Sequence, residues 1–180
     1  MSPWATFYEG RANASYLEYA KQRYRVFIDA ICSRITAGDT VLELGAGTGT
    51  ITAALEPIIE LATLVATDID PDQLATMSKR FEDTDILVQR LDATSGHAVT
   101  SADVVHSHGM LEHFDDETIR KVIDSYRGIA HSQVHYVPGL YPKPTFGDER
   151  LMPVERWWDI VKPSQIITFN DGLDYALVIE

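Results

Sequence analysis

The chain has 180 residues, enough for one domain with a sizeable core and too few for a second of similar size. Acidic residues outnumber basic ones 27 to 15, and the resulting net charge of −12 argues against nucleic acid as a partner, because phosphate binding needs clustered Lys and Arg. The single cysteine, Cys32, permits no internal disulfide, and neither a leader pattern nor an apolar run of membrane-spanning length is present, so a cytoplasmic, non-membrane protein is expected.

The chain opens on an aromatic, irregular stretch, Phe7-Tyr8-Glu9-Gly10-Arg11. From about residue 14 to 35, Ala20, Tyr24, Phe27, Ile28 and Ile31 fall on one helix face, with Cys32 as a small core residue. Residues 1–36 thus read as a helical cap on a single domain spanning 1–180. Gly38-Asp39 ends the helix, and Val41 to Leu44 alternates as a buried strand. Gly45, Gly47 and Gly49 follow, then a helical pattern carrying Ile51, Ala54 and Leu55, which Pro57 ends or kinks. A strand that turns into a helix through glycines presents backbone N–H groups and a positive dipole end to a ligand. This reads as a nucleotide-type cradle at the start of a doubly wound sheet; a glycine turn with no ligand is the plainer alternative.

The dinucleotide fingerprint G-x-G-x-x-G needs a glycine at position 50, where Thr50 stands. That weakens the reading as a nicotinamide-dependent oxidoreductase. Glu43-x-Gly45-x-Gly47-x-Gly49 instead resembles the first motif of class I S-adenosylmethionine (SAM)-dependent methyltransferases. The resemblance implies that Glu43 helps to fix the methionine ammonium through the backbone or water, that Gly45, Ala46, Gly47 and Gly49 take the methionine portion, and that Tyr8 and Arg11 fold over it. An ordinary surface segment is the other reading of Tyr8 and Arg11.

A second strand, Leu64 to Thr67, ends at Asp68-Ile69-Asp70-Pro71, and Pro71 suits the first turn of a helix carrying Leu74, Met77 and Phe81. Asp68 stands 19 positions after Gly49, near the spacing at which a carboxylate meets ribose hydroxyls. It is similar to the second methyltransferase motif, which implies Ile69 against the adenine face. Asp70 reads as a helix cap. After a third strand, Ile86 to Gln89, the resemblance places Asp92 at the adenine amine with Ala93 beside it.

Ala102 to Phe114 resembles the fourth strand of small-molecule methyltransferases, "D-V-V…L-E-H-F", and lacks the Asn/Asp-Pro-Pro-Tyr grip of enzymes that methylate planar nitrogens. Alternation puts His106 and His108 on one face. If the acceptor is a hydroxyl, His108 and then His113 are the candidate bases; otherwise His108 offers only its backbone carbonyl and His113 packs beneath the helix. No metal is assigned.

A helix from Glu117 to Ala130 and a strand from Gln133 to Val137 lead into a loop with three prolines, Pro138 to Arg150. It leaves the carboxyl edge of the sheet, where open α/β folds bind ligands, so Tyr141, Phe146, Asp148, Glu149 and Arg150 are substrate-side candidates; a solvated connection is the alternative. In the helix Pro153 to Val161, one of Trp157 and Trp158 packs on the sheet and the other lines the pocket, Trp157 being taken for the pocket. Gln165 to Phe169, Asn170-Asp171-Gly172 and Asp174 to Ile179 read as an antiparallel hairpin. The expected fold is a doubly wound, mostly parallel seven-stranded sheet with that C-terminal hairpin. The expected activity is SAM-dependent methylation of an O, N or C nucleophile on a small molecule, a non-catalytic SAM-binding scaffold or partner subunit being the alternative.

Overall fold

The computed structural model describes residues 2–59, 61–95, 102–144 and 146–180. Seven strands form one sheet: β1 (Thr40–Leu44), β2 (Thr63–Asp68), β3 (Leu87–Arg90), β4 (Val104–His108), β5 (Ser132–Pro138), β6 (Gln165–Phe169) and β7 (Asp174–Ile179). They lie in the order β3-β2-β1-β4-β5-β7-β6. The first five are parallel; β7 runs antiparallel between β5 and β6, as the terminal hairpin requires. The hairpin turn takes positive φ at Asn170, Asp171 and Gly172, residue types that tolerate it.

The helices are α1 (Pro3–Phe7), α2 (Ala14–Arg23), α3 (Arg25–Cys32), α4 (Thr50–Leu55), α5 (Pro71–Arg80), α6 (Asp116–Arg127) and α7 (Val154–Val161). Successive strand residues feed opposite cores, as a sheet covered on both faces demands. Val41, Val104 and Val178 pack with Phe27, Ile31, Leu55 and Met77 from α3, α4 and α5. Leu42, Val105 and Leu177 pack with Ile119, Ile123 and Trp157 from α6 and α7. The chain winds outward from β1 to β3 and returns to β4, so the carboxyl ends of β1 and β4 flank the switch point where such sheets hold ligands.

Two details differ from the sequence reading. The helix expected over 14–35 breaks at Tyr24, whose φ of −108° leaves the helical region between α2 and α3. The aromatic stretch at the start carries a short helix, α1, pinned by Ser2, whose N–H donates to Asp72 at 2.9 Å and whose hydroxyl donates to Asp70. Asp70 itself caps α5 by accepting from the Asp72 N–H at 2.9 Å. The cap is thereby fastened to the β2–α5 connection. No helix among the described residues is long and apolar enough to cross a membrane.

Candidate active site

The glycine turn after β1 is held by its own protein partners. Ala46 N–H donates to the Thr67 carbonyl at 2.8 Å, Gly49 N–H to the Ala46 carbonyl at 2.8 Å, and Gly47 N–H to Asp68 Oδ2 at 2.8 Å. The expectation of bare N–H donors is therefore corrected at these three positions, and α4, only six residues long, adds little dipole. What the turn offers is space. A Cβ on Gly47 would meet the Tyr8 ring at 3.1 Å, and one on Gly45 would meet Met110 Sδ at 2.8 Å. A Cβ on Gly49 would meet the Phe81 ring at 2.6 Å, so this glycine lets the end of α5 pack against the turn.

The turn borders a cleft of about 420 Å³ lined by Gly45, Gly47, Asp68, Ile69, Asp92 and Ala93, with Gln73 and Asp148. Asp68 Oδ1 accepts from the Asp70 N–H at 2.9 Å, so each carboxylate oxygen takes one backbone donor and keeps a lone pair for a hydroxyl. Burial pushes its carboxyl up, against the pull of the Asp70 and Gly47 N–H groups. Asp92, exposed at the cleft mouth, is held down by the hydroxyl and N–H of Thr94. Ile69 is half exposed in the same wall.

A second, aromatic cavity of about 290 Å³ adjoins the first, and Trp4, Tyr8, Gly109 and His113 line both. At one pole, His108 stacks on Tyr136 with centroids 4.4 Å apart and takes the edge of Tyr24 at 4.2 Å. Burial drives the His108 imidazole down to about 4, so it is neutral at pH 7, and its Nε2 is buried with no protein partner. Behind this stack, Asp174 is fully buried and accepts from Tyr136 at 2.9 Å, Tyr141 at 2.7 Å and Asn170 at 2.6 Å, with the Arg23 guanidinium at 2.7 Å. At the other pole sit Glu112, His113 and Glu149. Glu112 is 2% exposed and burial raises its carboxyl to about 8. His113 Nδ1 lies 3.0 Å from Asp148 Oδ1.

Comparison with known proteins fits this geometry. The family model described as "Methyltransferase domain" matches residues 41–131, half of the chain, from β1 to the end of α6 and beyond. The chain belongs to this methyltransferase family. Its fold aligns with PigF, solved with S-adenosylhomocysteine (SAH), at a TM-score of 0.70 and 15% identity, covering 93% of this chain and 58% of that one. It aligns with the PH0226 protein of Pyrococcus horikoshii OT3 at a TM-score of 0.74 and 13% identity, covering 96% and 97% of the two chains. The non-reducing polyketide synthase pkdA of Emericella nidulans is 35% identical over 75 residues, 39% of this chain and 3% of that protein. The chain thus spans a small fraction of that synthase and under two thirds of PigF.

Within this methyltransferase domain the expected residues divide between the two cavities. Gly45, Gly47, Asp68, Ile69, Asp92 and Ala93 line the cleft; Ala46, Glu43, Arg11, His108, Tyr141 and Phe146 line the aromatic cavity; Tyr8 and His113 line both. Glu43 Oε2 accepts from the N–H and hydroxyl of Thr52, which holds the first turn of α4. Two substrate expectations are corrected. Trp157 is fully buried in the core beneath α7, with Trp158 half exposed, because the amphipathic face of α7 turns the former to the sheet. Arg150 lies outside both cavities, donating to the Phe114 carbonyl and to Asp116 at 2.6 Å. The sequence reading passed over Glu112, Arg23, Tyr136 and Asp174. Glu112 lay inside the quoted "L-E-H-F" signature; the other three carry no local signal.

Proposed function

We propose that this chain binds SAM in the glycine cleft and transfers its methyl to a small molecule held in the aromatic cavity. The observation that carries this is the shared wall at Tyr8, Gly109 and His113, which sets a donor-sized cleft and a second cavity side by side at the switch point of the sheet.

The residues fit the cofactor. Gln73 is 2% exposed, lines the cleft, and neither its Oε1 nor its Nε2 has a partner in the protein, as expected of an amide awaiting a polar ligand. Asp68 would hold the ribose hydroxyls, Asp92 the adenine amine, and Ile69 with Ala93 the adenine face. Gly45, Gly47 and Tyr8 would flank the methionine portion, and Ala46 and Arg11, in the adjoining cavity, would meet its carboxylate end. When bound, SAM supplies a methyl already activated on a sulfonium sulfur.

The protein's own part is to align and to keep water out. Holding both reactants in line lowers a barrier by roughly 7–11 kcal/mol. Phe146 packs on Trp4 and Phe7 with centroids 4.7 and 4.5 Å away, an aromatic wall that reduces the water around the reactants. For a hydroxyl acceptor, the unshared Nε2 lone pair of His108 takes the proton. The aromatic lining favours an acceptor with a flat apolar body. The methyltransferase family match, with the likeness of part of the chain to a polyketide synthase, supports methyl transfer to a small molecule over a scaffold role.

The test is calorimetry with SAH, followed by incubation with methyl-labelled SAM and a metabolite extract. One SAH per chain and labelled small molecules are expected. SAH binding without any labelled product would favour the scaffold reading.

A further inference from the structure

Glu112, His113 and Glu149 bring three metal-type donors to the wall of the aromatic cavity. Glu112 follows β4 in a short 3-10 turn, Leu111–His113, which drives its side chain inward. The residue is 2% exposed, and its Oε2 is shut off from solvent without a hydrogen-bond partner. A buried carboxylate oxygen left this way needs a proton or a cation beside it.

His113 and Glu149 stand next to it. One ligand atom from each of the three residues lies within 4.8 Å of the other two. An ion with bonds of about 2.0–2.2 Å holds its ligands about 3–4 Å apart, so a small rotation of Glu149, on the loop after β5, closes the set. His113 Nδ1 is engaged by Asp148 Oδ1 at 3.0 Å. With that N–H donated, the lone pair is on Nε2, the arrangement in which a carboxylate orients and strengthens a metal-ligating imidazole. Two carboxylates and one imidazole suit a cation of the Mn²⁺ or Zn²⁺ type better than Ca²⁺, which prefers oxygen ligands alone.

We propose that Glu112, His113 and Glu149 bind one divalent transition-metal cation at this wall, with Asp148 orienting the imidazole and open coordination positions facing the aromatic cavity. Resting on the reading of that cavity as the acceptor site, the open positions take an oxygen of the acceptor, a phenol, enol or carboxylate. The cation then decides which end of the acceptor points toward the shared wall.

The chain is stripped with a chelator and titrated with Mn²⁺, followed by electron paramagnetic resonance and calorimetry, with SAH binding measured on the same samples. One Mn²⁺ per chain is expected, weakened at least about tenfold by Glu112→Gln and by His113→Gln, and by a smaller factor in Asp148→Asn. Glu112→Gln is expected to keep its SAH affinity. If Glu112→Gln does not fold, Glu149→Gln on the loop carries the same expectation. Absence of saturable Mn²⁺ and Zn²⁺ binding overturns the proposal. So does binding that survives the Glu112 and His113 substitutions, which would put the ion on the acidic surface. A chain that binds Mn²⁺ but not SAH keeps the cation site and overturns the cofactor reading; the converse overturns the cation site alone.

Discussion

The ring of Tyr8 lies over Gly47 so closely that a Cβ on the glycine would stand 3.1 Å from it. The N-terminal cap and the turn after β1 are therefore shaped to each other, across a wall that both cavities share. Gly47 also has a φ of +56°, where an L side chain costs roughly 1–2 kcal/mol. Gly47→Ala is expected to lift Tyr8 off the turn and weaken SAH binding by about tenfold or more. A dissociation constant equal to wild type would show that the turn does not face the ligand.

Asp68 holds two backbone N–H groups, those of Gly47 and Asp70, besides the lone pairs offered to a ligand. An alanine there would loosen the turn itself, so the informative change is Asp68→Asn, which keeps one acceptor oxygen. Loss of a charged acceptor for a hydroxyl is worth roughly 1.5–3 kcal/mol, or about 10- to 100-fold in SAH affinity. Calorimetry checks this directly, and an unchanged affinity would remove Asp68 from the ribose site.

Glu43 links folding to pH. Burial raises its carboxyl to about 7, against the pull of the Thr52 hydroxyl and N–H, while the unfolded chain titrates near 4.5. A folded-state pKa above the unfolded value means that the folded protein holds the proton longer. The benefit is complete below pH 4.5, falls through the interval up to 7, and is gone above it. The folded chain is then carrying a buried charge whose cost approaches roughly 3 kcal/mol. Glu43→Gln, uncharged and close in shape, is expected to melt several degrees higher than wild type at pH 8 and to converge with it at pH 5. Melting curves that stay parallel across that range would contradict the assignment.

Among the ties of the loop after β5, those of Tyr141 and Phe146 have different consequences. Tyr141 donates to Asp174 at 2.7 Å and accepts from Arg23 at 2.5 Å, on the acceptor side only. Phe146 packs on Trp4 and Phe7, next to the residue that covers Gly47. Tyr141→Phe should therefore raise the acceptor KM and spare SAH affinity. Phe146→Ala should weaken both, by roughly 0.5–1.5 kcal/mol per lost ring contact. Equal effects of the two changes on SAH would mean that the loop moves as one body.

That the glycine turn, Asp68 and Asp92 would meet at one cleft was legible in the sequence because their signals are local. Three glycines, an acid at the end of β2 and another after β3 each follow a strand whose alternation can be read directly, and Pro71 and Asp70 announce α5. The acceptor side was not, because it is assembled by pairing over long distances. Asp174 stands opposite Pro138 only once β7 inserts between β5 and β6, and Arg23 reaches it from α2. Periodicity also failed at Tyr24, where no glycine or proline marks the break between α2 and α3, and at Trp157, since a tryptophan pair alone does not say which ring meets the sheet.

The Asp174 cluster has a consequence for exchanging parts between relatives. This one carboxylate joins residues 23, 136, 141 and 170, drawn from the cap, a central strand, the loop and the terminal hairpin. The donor cleft, by contrast, draws its carboxylates Asp68 and Asp92 from the connections after β2 and β3. A hybrid that imports a foreign cap while keeping Asp174 would strip the Arg23 guanidinium from a fully buried charge, a defect worth roughly 3–5 kcal/mol. A hybrid that carries the cap, the loop and the hairpin together would keep the charge matched and inherit a different aromatic cavity, with new side chains also at the Trp4, Tyr8 and Asp148 positions of the cleft wall. Segments that look separable along the chain must therefore travel as a set.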